Sequence, residues 1–358
     1  MSDGDPESTP TNLTQTAHFV ELKKGEWYDR RGVRDLVRGG FARVRANRMR
    51  QFVCSALVTA LCVTIFLTGS VKTFAADSPS KEGAKKSRVL FVTQSLGFKH
   101  AVVVRKDSQL AAAERAVESL GVGSDLFRVD FSQDIAKDLT KENLANYDIL
   151  MFYTTGDRKQ WPLDDAALDY VFKDWVKQPG HGFIGFHSAT DTLKDYEPYW
   201  EMIGGSFIHH NWTANSNVTV VSNDPDSPLV KNWGKEFPIV DEIYQFKNWQ
   251  PEKVHVLMSL DMSRSDFNGA VQKDASNLSH VPIAWCKEYG DGKVFYISLG
   301  HNEKVWLDQR YMDTLLSAIK WIRGDIKADA KPNPEVSAAE AAKGKADIAA
   351  KVTEKAAK

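Results

Sequence analysis

Short runs that are apolar almost from end to end recur through the first half of this chain, and they restrict its fold more than any other feature. Arg88–Thr93 reads RVLFVT, Asp148–Thr155 reads DILMFYTT and His181–His187 reads HGFIGFH. A strand with one wet face alternates apolar and polar residues, whereas a strand that is apolar throughout must be covered on both faces. Helical patterns lie between these runs. Lys106–Leu120 carries apolar residues at helical spacing, with Gly121 as its expected stop, and Asp164–Lys177 is amphipathic and is followed by Pro179–Gly180. Asp125–Phe131 reads as a further strand. Strand alternating with helix predicts an α/β fold with a mostly parallel sheet and helices on both faces.

The second half has a different rhythm. Asn217–Ser222, Glu242–Phe246, Val254–Leu260, Ile283–Tyr289 and Lys293–Leu299 are strand-like and close together, and Tyr289-Gly-Asp-Gly-Lys293 has the residues of a hairpin turn. An antiparallel extension of the sheet is expected there. Asp308–Arg323, stopped by Gly324, is the last helix of the body.

Outside this body, which spans 88–325, the chain changes character. Phe52–Val71 is twenty residues without a charge. As a helix it reaches ~30 Å, the thickness of a bilayer core. Five arginines (38, 43, 45, 48 and 50) precede it, with no acidic residue after Asp35. Basic flanks stay in the cytoplasm, so the body is expected to be exported to the periplasm or cell surface. In one reading Phe52–Val71 is a single membrane anchor. In the other, Met49 starts a signal peptide ending near Ala75, which accounts for the absence of any domain pattern in the basic and polar segment 1–48. Residues 49–76 are then leader or anchor, and 77–87 a polar linker. Residues 326–358 are rich in Ala and Lys with almost no large apolar side chain, which predicts a frayed helix or disordered tail.

Charge and cysteine content exclude several functions. Residues 1–76 hold 11 basic and 7 acidic side chains, leaving 35 basic and 40 acidic to the rest. A mildly acidic body offers no electrostatic footprint for nucleic acid. Of three cysteines, only Cys286 lies in the body, inside an apolar strand, so neither a disulfide scaffold nor a cysteine-rich zinc site is available there.

An open parallel sheet binds ligands beyond the carboxyl ends of its strands, and five of the nine histidines fall in such places. His100 closes the loop after the first strand, His187 ends the fourth, His209 and His210 follow Gly204-Gly205, and His301 follows the last strand. Asp241 and Glu242 open a later strand. Neutral imidazoles with carboxylates suit a divalent transition metal, with His100, His187, His209 and His301 as candidate ligands, although the spacing matches no metal motif. The same groups suit proton transfer on a sugar hydroxyl or carbonyl. Trp212, Tyr244, Trp249 and Trp306 are either core packing or platforms for sugar rings. A serine-hydrolase elbow would need its nucleophile in the middle of G-x-S-x-G. Here His187 holds that place and Ser188 is one residue off. Asn211-Trp-Thr and Asn217-Val-Thr match glycosylation sequons.

Five segments together resemble the trehalose-utilization (ThuA-like) family: RVLFVTQSLGFKH, GFIGFHSATDT, GGSFIHHNW, DEIYQF and PIAWCKEYGDGKVFYISLGHNEKVW. The resemblance covers Arg88 to Gly324. It implies a class I glutamine amidotransferase-like fold, a flavodoxin-like sheet with helices on both sides, and a link to the catabolism of a disaccharide or keto-sugar. His301-Asn302-Glu303 resembles the amidotransferase His-x-Glu, but His187 stands where that chemistry needs cysteine, so glutaminase activity is not expected. The family pattern implies a pocket of His100, His187, His209, Asp241, Glu242 and His301, and needs only one of His209 and His210. The expected roles are catalysis by His187, His301 and Glu242, and substrate contact by His100, His209, Asp241, Trp212 and Tyr244. A non-catalytic carbohydrate-binding module is the alternative.

Overall fold

The computed structural model describes residues 85–358. In chain order the strands are β1 Ser87–Val92, β2 Phe127–Ser132, β3 Ile149–Phe152, β4 Gly182–Phe186, β5 Ser206–Trp212, β6 Asn217–Ser222, β7 Glu236–Val240, β8 Ile243–Lys247, β9 His255–Asp261, β10 Pro282–Tyr289 and β11 Gly292–Ile297. Nine of them form one sheet in the order β2-β1-β3-β4-β11-β10-β9-β6-β7. From β2 to β11 every neighbour is parallel, and from β11 to β7 every neighbour is antiparallel. β5 and β8 form a separate antiparallel pair.

The apolar runs take the centre of the parallel half for the expected reason. Val89, Phe91, Ile149, Met151, Ile184 and Phe186 point into one core, and Leu90, Val92, Leu150, Phe152 and Phe183 into the other. Helices α1 (Ala112–Ser124) and α2 (Gln309–Ile322) cover the first face. Leu168, Val171, Phe172 and Trp175, from the helical stretch after Asp164, cover the second. Each large apolar side chain so buried contributes about 1.5–3 kcal/mol. Gly182 lets α2 approach closely, since a Cβ there would lie 2.6 Å from Ile322 Cγ2.

Four features depart from the sequence pattern. Gly121 does not stop α1, which runs on to Ser124 and ends at Asp125 with φ 58°. Gly121 packs beneath Phe127, where a Cβ would meet the ring at 3.1 Å. β5 forms in a segment rich in polar residues, and β7 forms as an edge strand with Pro238 inside it. The tail is neither frayed nor disordered. Helix α3, Pro334–Ala356, docks with Ile348 buried. Polar contacts make up for its scarce apolar surface: Lys351 Nζ donates to the Ser265 carbonyl (2.7 Å), Lys343 Nζ lies 3.3 Å from Asp261, and Asn333 exchanges two hydrogen bonds with the Val256 backbone. The Phe52–Val71 run lies outside the described residues, among which no helix is long and apolar enough to cross a membrane.

The order β2-β1-β3 makes a topological switch at β1, the place where such sheets carry their ligand crevice. His100, His187 and His301 follow β1, β4 and β11 there. The β5–β8 pair lies against the turn His187–Asp191 and adds residues to the same edge.

Candidate functional site

His187 is the first residue beyond β4, and its backbone is left-handed at φ 38°. For a residue with a Cβ this costs on the order of 1–3 kcal/mol, and such strain persists only where surroundings enforce it. Here they do. The His187 carbonyl accepts from Tyr296 Oη (2.7 Å), and Nδ1 donates to the Ser298 carbonyl (2.7 Å). A carbonyl only accepts, so Nδ1 carries a proton and Nε2 is the atom turned to the site. The Tyr244 ring packs on the imidazole at 4.2 Å between centroids.

Three atoms then meet at close range. His187 Nε2 lies 3.2 Å from His301 Nδ1 and 3.3 Å from Glu242 Oε2, and His301 Nδ1 lies 3.0 Å from that same oxygen. His100 is buried beside them, its ring centroid 5.0 Å from that of His187 and 5.1 Å from that of His301. His100 Nδ1 has no hydrogen-bond partner among the described residues, and Nε2 sits 3.4 Å from Tyr244 Oη. One donor atom from each of His100, His187, Glu242 and His301 lies within 4.8 Å of every other, so these four could hold a metal ion.

The site separates its ionisable groups. Burial, with the neighbouring imidazoles, drives the His100 pKa down to about 2 and keeps it neutral. Burial pushes Glu242 up, but the adjoining imidazoles of His187 and His301 outweigh it and hold the carboxyl well below its usual range. His301 loses basicity to burial and regains more from Glu242, so its pKa is raised. Asp241 is raised by burial against the pull of His187 and two backbone amides.

The other expected residues fall in different places. Asp241 stays out of the triangle and accepts the backbone N–H of Gly300 (2.7 Å) and Asn302 (2.9 Å). Tyr244 is buried beneath His187 and against Phe207, so its ring faces are not open to a sugar. Trp212 is fully buried core, with Nε1 donating to the Asp266 carbonyl. Trp306 is likewise buried, and Trp249 packs on Trp285. His209 is not brought to the cluster: its Nε2 faces Asp274 at 3.0 Å. His210 takes that place, with Nδ1 3.4 Å from Glu242 Oε1 and its ring stacked with Phe207. An irregularity in β5 between Phe207 and His209 sets this choice of face. Cys286 is buried and its thiol is pushed up by burial, as befits inert core.

Sequence reasoning passed over Phe98. Its ring is 64% exposed and sits edge-on to His100 at 4.8 Å. The available signal was an aromatic two residues before a strand-end histidine. A separate groove of about 670 Å³, lined in part by Arg115, Leu120, Glu303 and Met312, has no histidine in its walls.

Residues 88–322 match the family model ThuA, described as trehalose utilisation. No curated protein matches the chain. A ThuA-like protein of Bacteroides uniformis shares the fold, with a TM-score of 0.51 at 22% identity over 71% of this chain and 97% of that one. A ThuA-like protein of Parabacteroides merdae aligns with a TM-score of 0.49 at 14% identity, covering 70% and 99%. A glutamine amidotransferase of Thermotoga maritima aligns with a TM-score of 0.38 at 11% identity, covering 74% and 94%.

Proposed function

Because the chain belongs to the ThuA (trehalose utilisation) family, we propose that it is an enzyme acting on a disaccharide or keto-sugar at the His187–Glu242–His301 cluster. The observation that carries this reading is the convergence of four strand-edge side chains, one of them an anionic carboxylate, at a place that stays open. The His301 side chain is 21% exposed and that of His210 is 40% exposed, while His187 is fully buried.

Each residue has a task in this account. Glu242 stays ionised and orients His301 through Oε2 and His210 through Oε1. His210 is the accessible imidazole, suited to moving a proton on or off a sugar hydroxyl, a role that contributes roughly 10²–10⁴-fold. His187 and His301 face the reacting oxygen. Phe98 offers the apolar face of the pocket, against which the C–H face of a pyranose can lie. The arginine-flanked run Phe52–Val71 supports placing this activity outside the cytoplasm.

The test is turnover across a panel of disaccharides and their keto derivatives. Wild type should convert at least one, and Glu242→Gln, which keeps the shape and loses the charge, should not. Binding without turnover in the wild type would instead identify a carbohydrate-binding module.

A further inference from the structure

We infer that His187, Glu242 and His301, with His100 as fourth donor, form a binding site for one divalent first-row transition-metal ion. The donor spacing matches the coordination shell of such an ion. A four-coordinate ion about 2.0–2.1 Å from nitrogen and oxygen donors separates those donors by about 3.3 Å. Six-coordination at the same bond length brings adjacent donors to about 2.9 Å. The three edges of the triangle, 3.0, 3.2 and 3.3 Å, fall in this interval.

Hydrogen bonding alone accounts for the triangle less well. With its Nδ1 proton on Ser298, the neutral form of His187 presents a lone pair at Nε2. Glu242 Oε2 presents another. A single proton on His301 Nδ1 serves one of these neighbours and leaves a second close pair facing each other without a donor. A cation between the three satisfies all of them. The Nδ1–H bond to a backbone carbonyl is also what fixes a ligating imidazole in its orientation.

The fourth donor carries an independent mark. His100 is 2% exposed, yet Nδ1 finds no partner among the described residues. An unpaired buried ring nitrogen is costly, and coordination through Nδ1 would remove the cost. Three imidazoles and one carboxylate make a borderline donor set that selects Zn²⁺, Co²⁺, Ni²⁺ or Fe²⁺ over Mg²⁺ and Ca²⁺, which take oxygen. The opening at His301 leaves room for a substrate oxygen on the ion, as in a catalytic site and unlike a closed structural one.

This inference stands on the donor geometry and not on the carbohydrate reading, and the two can fail separately. The experiment is titration of the full, untagged, chelator-stripped chain with Zn²⁺ and Co²⁺, read by calorimetry and by the visible ligand-field spectrum of Co²⁺. One ion per chain is expected. Glu242→Gln and His301→Gln should weaken it at least tenfold while keeping the wild-type circular dichroism, and His209→Ala should bind as wild type. No stoichiometric ion after reconstitution, or equal affinity in wild type, Glu242→Gln and His301→Gln, overturns the site. A bound ion without sugar turnover supports it and removes the carbohydrate reading. Sugar turnover with no stoichiometric ion after reconstitution does the reverse.

Discussion

Asp241 holds His301 by the backbone. Its carboxylate accepts the N–H of Gly300 at 2.7 Å and of Asn302 at 2.9 Å, one residue to either side of the imidazole. The same loop is pinned from below, where the Gly300 carbonyl accepts from Tyr153 Oη (3.2 Å) and Trp306 Nε1 (2.9 Å). Asp241→Asn turns an N–H donor toward one of those amides. Supporting residues of this kind are worth roughly 10–100-fold in activity or metal affinity, so a loss of that size is expected in kcat. Unchanged kcat in this variant would show that His301 needs no such support.

His209 and His210 should behave in opposite ways. His210 faces Glu242, and His209 is paired with Asp274 away from the cluster. His210→Ala should lower kcat at least about 100-fold, whereas His209→Ala should stay close to wild type. Equal losses in both would mean that the β5 irregularity does not hold in solution.

Phe98 should act on binding and not on the chemical step. Removing an apolar platform that meets substrate and transition state alike raises KM and spares kcat. A stacking contact of about 0.5–1.5 kcal/mol translates to a KM rise of roughly 2–12-fold in Phe98→Ala, with Phe98→Trp restoring it. A drop in kcat at constant KM would contradict this role.

Much of this arrangement was legible in the sequence, and the reasons are local. His100, His187 and His301 stand where apolar runs end, and a buried parallel strand leaves little freedom about where its carboxyl end emerges. The pair Asp241–Glu242 was visible too, but not its division of labour, which arises because Asp241 meets two backbone amides and Glu242 meets imidazoles. Which of His209 and His210 enters the site could not be read, because the register shifts in β5 reset which side chains share a face. Trp212 was indistinguishable from a platform, since a tryptophan looks the same whether it faces a sugar or Asp266. The tail misled for a related reason: α3 docks through Lys343, Lys351 and Asn333, and a search for apolar periodicity overlooks such anchors.

Stability should fall on mild acidification through His280. Burial lowers its pKa to about 4, while in the unfolded chain it returns to the ordinary value near 6.5. Between these limits the unfolded state binds the extra proton, so stability is fully present above about pH 6.5 and declines toward pH 4. The loss is about 2–3 kcal/mol. Denaturant melts of wild type and His280→Gln from pH 7 to 4.5 should show a shallower decline in the variant. Parallel curves would remove His280 from the account.

The most direct test of the central claim is a zinc-edge anomalous difference map from crystals of the chain reconstituted with Zn²⁺. A single peak per chain within bonding distance of His187 Nε2, His301 Nδ1 and Glu242 Oε2 is the predicted result. A map with no peak there, or with zinc held instead by His209 and Asp274, would contradict it.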